Sequence, residues 1–364
     1  MRIAVFSERL APPFDEGIKN YVLHLIRELR RRHRLLALTA FGRDVPEEGI
    51  RNLPSNPLLL SPWVATALRR FRPELILYVP TACATLFSFW RSRLLKRYGR
   101  GAPVVMIALQ TRRYGLVARA LMPWLRPECV LAQSQATGGP LAAMGCRVFI
   151  LPPAVDVERF RPAEPDRRVA LRRRYGLDPN VYLGLHVGHL NRGRNIQALA
   201  ELQGREGMQI LVVGSSSTPD DHELVAELEQ AGVRVISGYV PHIEELYALA
   251  DCYLFPVCAE NRAIDVPLSV LEAMACDLPV VTTRYGGLEA YFAETEGFRY
   301  VDDTSRLAAA VRAIRYVARP GTRQQILPYT WPQVVEGMIA LLERELGLAG
   351  QMGDLPEGMI RGDL

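Results

Sequence analysis

The stretch IDVPLSVLEAMACDLPVVTTRYGG, residues 264–287, decides the fold. Pro267 has a fixed φ and no backbone N–H, which is typical of the start of a helix. The run LPVVTT, residues 278–283, predicts a buried parallel strand, and Gly286 with Gly287 predicts the turn at its carboxyl end. A helix, a buried strand and a glycine turn together indicate an open α/β sheet. Ligands of such sheets bind at the carboxyl ends of the strands.

The predicted helix carries one carboxylate and presents free amides at its start. The backbone N–H groups of Leu268, Ser269 and Val270 have no intrahelical acceptor, and a helix N-terminus carries about half a positive charge, so this turn favours a phosphate. On a helical wheel Glu272 lies on the narrow polar side of an otherwise apolar helix. Two interpretations of Glu272 are open: a solvated charge on an exposed face, or a ligand of a molecule bound beside the anion site.

The segment LEAMACDLPVVTTRYGG resembles the donor-nucleotide segment of the retaining family-four glycosyltransferases, in which a Glu-x7-Glu motif leads into EAMA, a Gly-x-Pro-Val-Val strand and a Gly-Gly turn. The resemblance implies the GT-B fold: an α/β protein with two Rossmann-like domains facing a cleft, and a C-terminal helix that crosses back to the N-terminal domain. It implies that Glu272 is the second glutamate and binds the nucleotide ribose. Ile264 replaces the first glutamate, and the neighbouring Asp265 is the nearest carboxylate that could take its catalytic place.

The length of 364 residues suits two domains, since a domain typically has about 100 to 200 residues. The segment PPAVDVERFRP, residues 152–162, resembles the family's interdomain linker and has prolines at both ends. We therefore expect an acceptor-side domain at 1–152, a nucleotide-sugar-binding domain at 153–328, the returning helix at 329–348 and a flexible tail at 349–364, whose apolar content is too low for packing.

The turn after the strand VYLGLHVGHL, residues 181–190, resembles the family's Gly-Arg-Leu-x-x-x-Lys segment, whose two cations hold the donor diphosphate. Alignment on Gly188 places His189 at the arginine position and Arg194 at the lysine position. Arg194 keeps the charge, whereas His189 is charged only when protonated, which a neighbouring diphosphate favours. Arg192 is an alternative cation. A structural role for His189 also stays open.

Three further positions are weaker candidates for ligand contact. Gly17 opens the helix after the first strand, where the family carries Gly-Gly, and a glycine lets the backbone approach a phosphate or sugar closely. Gln110 stands where the family commonly has a histidine near the reacting sugar, and its amide can hydrogen-bond a hydroxyl but cannot accept a proton at neutral pH. Gly238 lies in the SGYV segment, where relatives wrap backbone around the nucleotide base.

Composition excludes several classes of protein. No run reaches the roughly 18 apolar residues of a membrane span, and the opening MRIAVFS lacks a signal-peptide pattern, so we expect a cytoplasmic protein. The six cysteines have no CxxC spacing and are interpreted as buried thiols, not as metal ligands or disulfides. The acidic segments PDDH, residues 219–222, and VDDTS, residues 301–305, each precede a predicted helix, so we interpret them as helix caps and expect no metal site.

Charge is divided unevenly along the chain. Residues 1–152 carry 23 Lys or Arg against 9 Asp or Glu, whereas the remainder carries 21 against 30. A basic half suggests an anionic partner. The run RELRRRHR, residues 27–34, and the aromatic and basic segment at 86–100 make contact with anionic lipid, at the inner face of the membrane, a candidate. Solvated or core helices with a basic face are the alternatives. Nucleic acid is not expected, because no recognition motif accompanies the charge.

The chemistry implied by the resemblance is transfer of a sugar from a nucleoside diphosphate sugar to a sugar or lipid-linked acceptor, with retention and without a metal or other cofactor. Negative charge builds on the departing diphosphate, and prealigned cations and amides stabilise it. Arg194, Arg192, His189, Leu268 and Ser269 are the candidates for that role. No enzyme nucleophile is required. The alternative is a noncatalytic partner protein that has lost part of the donor site.

Overall fold

A computed structural model describes residues 1–217 and 219–348, and within it the chain divides into two units. The first comprises Met1–Pro153, Ala263–Asp265 and the segment that begins at Trp331; the second comprises Ala154–Arg262 and Val266–Thr330. The tail predicted at 349–364 lies outside the described residues. Among the residues that are described, no helix has the length and apolar character needed to cross a lipid bilayer.

The first unit is built on a sheet of seven parallel strands. They are β1 Arg2–Ser7, β2 Arg34–Thr39, β3 Ile50–Asn52, β4 Leu75–Tyr78, β5 Val104–Ala108, β6 Cys129–Ala132 and β7 Val148–Ile150. Their order in space is β3-β2-β1-β4-β5-β6-β7, with parallel register throughout. The central strands are continuous apolar runs because both faces of a parallel sheet are covered. The order reverses between β1 and β4, the position at which ligands of such sheets bind.

Helices cover both faces of this sheet. They are α1 Gly17–Arg32, α2 Pro62–Phe71, α3 Leu86–Tyr98, α4 Leu116–Leu121 and α5 Gln135–Ala143. Helix α1 buries the predicted apolar side, from Tyr21 to Leu29. Ser61 caps α2 by accepting from the Val64 amide, and Thr85 with Ser88 forms a capping box at the start of α3.

The second unit repeats this plan with six parallel strands. They are β8 Tyr182–Val187, β9 Met208–Val213, β10 Arg234–Ile236, β11 Cys252–Phe255, β12 Val280–Thr283 and β13 Phe298–Val301, in the order β10-β9-β8-β11-β12-β13. Its helices are α6 Pro165–Arg174, α7 His222–Gln230, α8 Ile243–Leu249, α9 Leu268–Ala275, α10 Leu288–Tyr291, α11 Leu307–Ile314 and α12 Thr322–Ile326. The stretch at 264–287 folds as predicted: Pro267 is the N-cap of α9, and β12 follows.

The segment NRGRNIQALAEL, for which we expect a turn and a helix, departs from that expectation. It forms two 3-10 segments, Arg192–Arg194 and Ile196–Leu202. Asn195 separates them with a φ of 58°, in the left-handed region. A continuous right-handed helix cannot pass through such a residue. Arg194 is therefore held in a tight turn of its own beside the end of β8.

The acidic pairs cap helical segments, as predicted. Asp221 accepts a hydrogen bond of 3.1 Å from the Leu224 amide at the start of α7. Asp303 accepts one of 2.9 Å from the Ser305 amide at the start of a short 3-10 turn. The side-chain oxygen in each case satisfies a first-turn amide that has no intrahelical partner.

The last described helix, α13, spans Trp331–Leu346 and belongs to the first unit. The Trp331 ring lies 5.1 Å from the Tyr21 ring in an edge arrangement and stacks on His24 at 5.3 Å. These contacts join α13 to α1 through their apolar faces. This is the returning helix that the resemblance implies.

Candidate functional site

Arg194 is a buried cation in the second unit. It is 5% exposed, and its Nε has no hydrogen-bond partner among the described residues. Its guanidinium lies 5.8 Å from the centre of the Phe255 ring, and no carboxylate of the described chain forms an ion pair with it. Burial lowers the pKa of the guanidinium from its usual value. A buried charge without a partner is costly, so this side chain is poised for an anion.

Gly188, at the end of β8, makes room for that guanidinium. A Cβ at this position would lie 2.7 Å from Arg194 Cζ and 2.9 Å from both terminal nitrogens. Real Cβ atoms do not approach other heavy atoms so closely. A side chain at this position would therefore displace the guanidinium of Arg194. The two predicted residues, Gly188 and Arg194, lie next to each other in the structure.

His186 lies on β8 in the same region and is fully buried. Its Nδ1 is 2.8 Å from the Leu254 carbonyl oxygen, which fixes Nδ1 as the protonated nitrogen. Burial, together with the nearby Arg194 charge, lowers the pKa of His186 to about 3. The imidazole is therefore neutral at physiological pH and adds no second cation beside Arg194.

Glu272 lies on α9 and is 8% exposed, so the interpretation as a solvated surface charge is wrong. The Tyr247 hydroxyl donates a hydrogen bond of 2.8 Å to its Oε2. Burial raises the pKa of Glu272 to about 7, and the hydrogen bond from Tyr247 opposes that rise. A carboxylate held in this way has acceptor capacity left for hydroxyl donors such as a diol.

Tyr253 lies near both the start of α9 and Arg194. Its hydroxyl donates a hydrogen bond of 3.3 Å to the Val187 carbonyl oxygen, and burial raises its pKa, which the nearby Ser269 hydroxyl and Arg194 guanidinium oppose. The Tyr253 ring lies 5.8 Å from the Tyr247 ring, which holds Glu272.

The Val270 amide donates a hydrogen bond of 3.1 Å to the Pro267 carbonyl oxygen, so the prediction of a free amide at Val270 is wrong. Pro267 supplies no side-chain cap, so the amides of Leu268 and Ser269 stay available to an anion.

The other candidates in the second unit have different surroundings. Arg192 is exposed and pairs with the Glu227 carboxylate at 2.5 Å, with Asp221 at 3.7 Å. His189 is partly buried. Gly238 has a φ of 94°, and a Cβ there would meet no atom within 4 Å. The structure thus places Gly188, Arg194, Ser269 and Glu272 near one another. The charge of Arg192 is instead paired with carboxylates at the surface.

The candidates in the first unit lie around residues 263–265. A Cβ on Gly17 would be 3.5 Å from the Ile264 side chain, and Gln110 Nε2 donates to the Ala263 carbonyl oxygen at 3.3 Å. Asp265 is 3% exposed. Its carboxylate accepts hydrogen bonds from the hydroxyls of Ser134, at 2.5 Å, and Thr111, at 3.0 Å. The Asp265 carboxylate is therefore satisfied within this unit.

Sequence reasoning missed three polar residues of the site: His186, Tyr247 and Tyr253. His186 and Tyr253 lie in the buried strands β8 and β11, and Tyr247 lies on the buried side of α8 between two leucines. A histidine or tyrosine inside a buried run needs a polar partner, and that requirement is the signal that could have identified them. Their partners are distant in sequence, so the pairing itself is not visible there.

Two sequence models of one family match the chain. The model described as Glycosyltransferase Family 4 matches residues 16–159, and the model described as Glycosyl transferases group 1 matches residues 185–315. The second match contains Gly188, Arg194 and Glu272.

Named relatives agree with these models. A D-inositol 3-phosphate glycosyltransferase of Geodermatophilus obscurus is 30% identical over 53% of this chain and 46% of its own length. A GDP-mannose-dependent alpha-mannosyltransferase of Mycolicibacterium smegmatis is 27% identical over 95% of this chain and 98% of its own length. The chain spans about half the length of the D-inositol 3-phosphate glycosyltransferases that it matches.

Solved structures share the fold. The HepE protein of Anabaena, in complex with UDP-glucose, has a TM-score of 0.73 and 18% identity over 94% of this chain and 99% of its own. Sucrose-phosphate synthase of Thermosynechococcus elongatus has a TM-score of 0.73 and 18% identity over 96% of this chain and 100% of its own. These likenesses confirm two Rossmann-like domains of the GT-B type. One family model covers most of the first unit, the other covers most of the second, and the fold agrees with both. The chain therefore belongs to glycosyltransferase family four, the glycosyl transferases of group 1.

Proposed function

We propose that this protein transfers a sugar from a nucleoside diphosphate sugar to an acceptor, with retention of the anomeric configuration. The observation that carries the proposal is the buried guanidinium of Arg194, which has no carboxylate partner in the described chain and lies near Tyr253, as does Ser269 at the start of α9. An anion is the missing partner of such a cation. The departing diphosphate of a nucleotide sugar supplies that anion and gains charge as the glycosidic bond breaks.

We assign the roles from these surroundings together with the family resemblance. Arg194 and the amides of Leu268 and Ser269 stabilise the departing diphosphate, with Gly188 making room for the guanidinium. Glu272 accepts hydrogen bonds from the ribose hydroxyls. His189 and Arg192 are further cations for the diphosphate, and Gly238 borders the base. Asp265, Gly17 and Gln110 are assigned to the sugar end. The reaction uses no metal or other cofactor, and the chemistry lies in the donor substrate itself.

For the acceptor we propose a cavity of about 310 Å³ in the first unit, lined by Glu8, Phe41, Thr81, Ser88 and Arg91 among others. It lies where the strand order reverses between β1 and β4, the preferred ligand position of an open α/β sheet. The acceptor is a sugar or a lipid-linked sugar. The GDP-mannose-dependent phosphatidylinositol monomannoside mannosyltransferase of Mycolicibacterium smegmatis, which is 27% identical, supports the lipid-linked class by its name.

A noncatalytic binding protein is the second candidate. Ile264 stands where the family motif has its first glutamate and is 3% exposed, and the carboxylate of the adjacent Asp265 is already bonded to two hydroxyls. This departure concerns the sugar end of the site. The nucleotide-binding groups, Arg194 and Glu272, are present, so the enzyme is the better supported candidate.

A panel of nucleotide sugars tests the proposal. Calorimetry measures binding, and release of nucleoside diphosphate measures hydrolysis or transfer. We expect Glu272→Ala to weaken binding by about 10-fold to 100-fold, as is typical when a charged hydrogen-bond acceptor is lost. Glu229→Ala, at an exposed position near the end of α7, is the matched control and leaves binding unchanged. NMR of the product then reports the anomeric configuration.

Each outcome decides between the candidates. Turnover of a nucleotide sugar that depends on Glu272 supports the enzyme. Binding without turnover assigns the chain to the noncatalytic candidate. If no nucleotide sugar binds, or if Glu272→Ala and Glu229→Ala behave alike, both candidates fail.

We also propose that the protein works in the cytoplasm at an anionic membrane surface, for which the support is the excess of basic residues in its N-terminal half. Nucleic acid stays outside the proposal, because no recognition motif accompanies that charge.

A further inference from the structure

Exposed aromatic side chains are concentrated in the first unit. Three of the four tryptophans lie there at the surface: Trp63 is 64% exposed, Trp90 37% and Trp124 80%. Leu116 is 85% exposed and Val117 68%, and helix α4 has no buried residue. Tryptophan seldom leaves most of its surface in water, because a ring of this size stabilises a protein mainly when it is covered. These exposed side chains therefore indicate a surface that a binding partner covers.

The topology gathers them on one side of the sheet. A helix that connects parallel strands runs antiparallel to them, so α2 and α3 both begin at the carboxyl edge of the first sheet. Trp63 lies in the first turn of α2, and Phe87 and Trp90 lie in the first half of α3. Helix α4 follows the carboxyl end of β5 and continues into a 3-10 turn, Met122–Leu125, that packs on α3.

We define the carboxyl-edge patch as Trp63, Phe87, Trp90, Leu116, Val117 and Trp124. The elements that carry it are neighbours, since α2 packs on α3 and α3 packs on the turn that holds Trp124. Contiguous apolar patches on a protein surface mark sites of contact with another protein or with a membrane.

The charge of the residues around the patch favours one of these two kinds of partner, a membrane. Between residues 57 and 127 the chain has twelve Lys or Arg and one acidic residue, Glu74, which lies just before β4 at the opposite edge of the sheet. Four arginines on the same helices are exposed and lie farther from the carboxyl edge than the aromatic side chains do. They are Arg69 and Arg70, at the end of α2, and Arg93 and Arg97, in the second half of α3. Apolar side chains at the tip with cations behind them fit an anionic bilayer, whose hydrocarbon meets the rings while the phosphates meet the arginines.

The basic run at 27–34 is less suited to this contact. Arg27 pairs with Glu48, Arg31 with Glu28 at 3.0 Å, and Arg32 with Glu336 at 2.7 Å. The run ends α1 and so lies at the amino edge of the sheet, away from the exposed aromatic side chains. Its charges are partly neutralised within the protein.

We propose that the carboxyl-edge patch is the membrane-contact surface of this protein and that its partner is an anionic lipid bilayer. Trp63, Phe87, Trp90 and Trp124 enter the interface, and the arginines of α2, α3 and α4 bind headgroup phosphates. The contact is made by the first unit alone and needs no nucleotide. It places the carboxyl ends of β1 and β4, where the proposed acceptor cavity lies, next to the lipid.

Sedimentation with vesicles tests the proposal. The full chain is mixed with vesicles that contain phosphatidylglycerol and with vesicles of phosphatidylcholine only. We expect binding to the first that falls with added salt, and little binding to the second. The double variant Trp63→Ser/Trp124→Ser loses about tenfold or more in vesicle affinity, because both interfacial rings are removed. Circular dichroism checks that it folds, as expected for positions so exposed.

Two control variants make the result specific. Tyr316→Ser removes a ring that is 86% exposed but belongs to the second unit, and it leaves vesicle binding unchanged. Arg30→Gln/Arg31→Gln tests the run at 27–34 and has a smaller effect than Trp63→Ser/Trp124→Ser. The proposal is overturned if the tryptophan variant binds like the wild type, if the run at 27–34 dominates, or if light scattering shows that the patch is covered by a second copy of the chain.

Calorimetry with nucleotide sugars, without vesicles, separates this proposal from the proposed function. The Trp63→Ser/Trp124→Ser variant keeps the donor affinity of the wild type. A wild type that binds anionic vesicles but no nucleotide sugar supports the patch and removes the proposed sugar transfer. The reverse result removes the patch and the proposed membrane location and leaves the sugar transfer standing.

Discussion

In the first unit the carboxylate of Glu8, just after β1, is fully occupied by its own fold: it accepts hydrogen bonds from the Tyr78 hydroxyl, from Arg91 at 2.7 Å and from the Thr81 amide at 2.7 Å. In the second unit the guanidinium of Arg194, in the 3-10 turn that follows β8, has an aromatic ring beside it and no carboxylate partner among the described residues. The two sheets share a plan, yet the buried charge that follows the first strand of each is treated in opposite ways.

The difference indicates which unit carries the charged ligand. A buried ion that is paired and hydrogen-bonded serves the fold, whereas a buried ion without a partner costs free energy until a ligand neutralises it. The second unit keeps Arg194 without an ion-pair partner among the described residues, and it keeps Glu272 with a neutral hydrogen-bond donor, the Tyr247 hydroxyl. Burial lowers the pKa of Arg194 and raises that of Glu272. The first unit keeps its carboxylates satisfied and exposes apolar side chains instead.

The largest expected effect comes from removing the unpaired cation. Arg194→Ala deletes the guanidinium that we propose stabilises the departing diphosphate, and loss of one such group in a dry site typically costs about 3 kcal/mol, on the order of 100-fold to 1000-fold in kcat. Release of nucleoside diphosphate from the best donor of the panel is the measurement. Because Arg192 is exposed and already paired with Glu227, we expect Arg192→Ala to lower kcat far less than Arg194→Ala does. Arg312→Ala, at an exposed position of α11, is the matched control and leaves kcat unchanged.

A result in which Arg192→Ala is the more damaging variant would reverse the comparison, because the diphosphate would then bind at the surface. The thermal midpoint of Arg194→Met adds a second criterion, because methionine removes the charge and keeps most of the buried volume. Since the buried charge is unpaired, this replacement leaves the protein as stable as before or more stable. A large fall in stability would mean that Arg194 serves the fold, as Glu8 does.

The next effect concerns Glu272 and pH. Burial raises the pKa of this carboxyl from 4.5 to about 7, so the group is mainly protonated at pH 6 and mainly ionised at pH 8. The ionised form accepts from both ribose hydroxyls, and we expect a nucleotide sugar to bind about tenfold more tightly at pH 8 than at pH 6. Calorimetry should use an intact nucleotide sugar, because its phosphates do not titrate in this range. Glu272→Gln should flatten the profile.

Stability should change with pH in the opposite sense. The folded protein holds the Glu272 proton up to about pH 7, whereas the unfolded chain releases it near 4.5, so this group makes the free energy of unfolding fall as pH rises through that window. Thermal midpoints of the wild type and Glu272→Gln should therefore diverge between those pH values. A wild-type midpoint that rises more steeply with pH than that of the variant would contradict the burial of an uncompensated carboxyl.

The elements that the sequence predicted are those whose signal is local. Pro267 and the apolar run after it predict α9 and β12 because the helix start, the burial pattern and the glycine turn all lie within the same segment. The acidic caps at Asp221 and Asp303 follow from one carboxylate and the amides next to it. Arg194 is a candidate because the resemblance to the family's Gly-Arg-Leu-x-x-x-Lys segment aligns it with the lysine, within a single turn of the sequence.

The rest depends on contacts between residues far apart in the chain. The burial of Glu272 is visible only with Tyr247 in place, and the satisfaction of Glu8 only with Tyr78 and Arg91. The left-handed Asn195 interrupts a helix that the apolar spacing of its neighbours predicts, because tertiary packing overrides local preference. Exposed and buried tryptophans cannot be told apart by periodicity when helices are short.

We expect the smallest effect on the site from a substitution of Asp265. Like Glu8, Asp265 is a buried carboxylate of the first unit that already accepts hydrogen bonds within the fold, so its variant tests the comparison between the two units. Asp265→Asn replaces one carboxylate oxygen by an NH2 group that cannot accept from the hydroxyls of Ser134 and Thr111 together. Loss of one charged, buried hydrogen bond costs about 1 to 3 kcal/mol, and calorimetric unfolding should show a lower midpoint. Asp44→Asn is the control: Asp44 is exposed, and an amide oxygen can still accept from the Asn52 amide.

Donor binding decides the role of this carboxylate. If Asp265 serves the fold as Glu8 does, Asp265→Asn keeps the affinity for a nucleotide sugar within about twofold while stability falls, because distant sites contribute independently. A double-mutant cycle with Thr111→Val should then recover an interaction energy between the two side chains. If turnover is lost at unchanged affinity and unchanged stability, Asp265 acts on the sugar, and the division between an occupied first unit and an open second unit no longer holds.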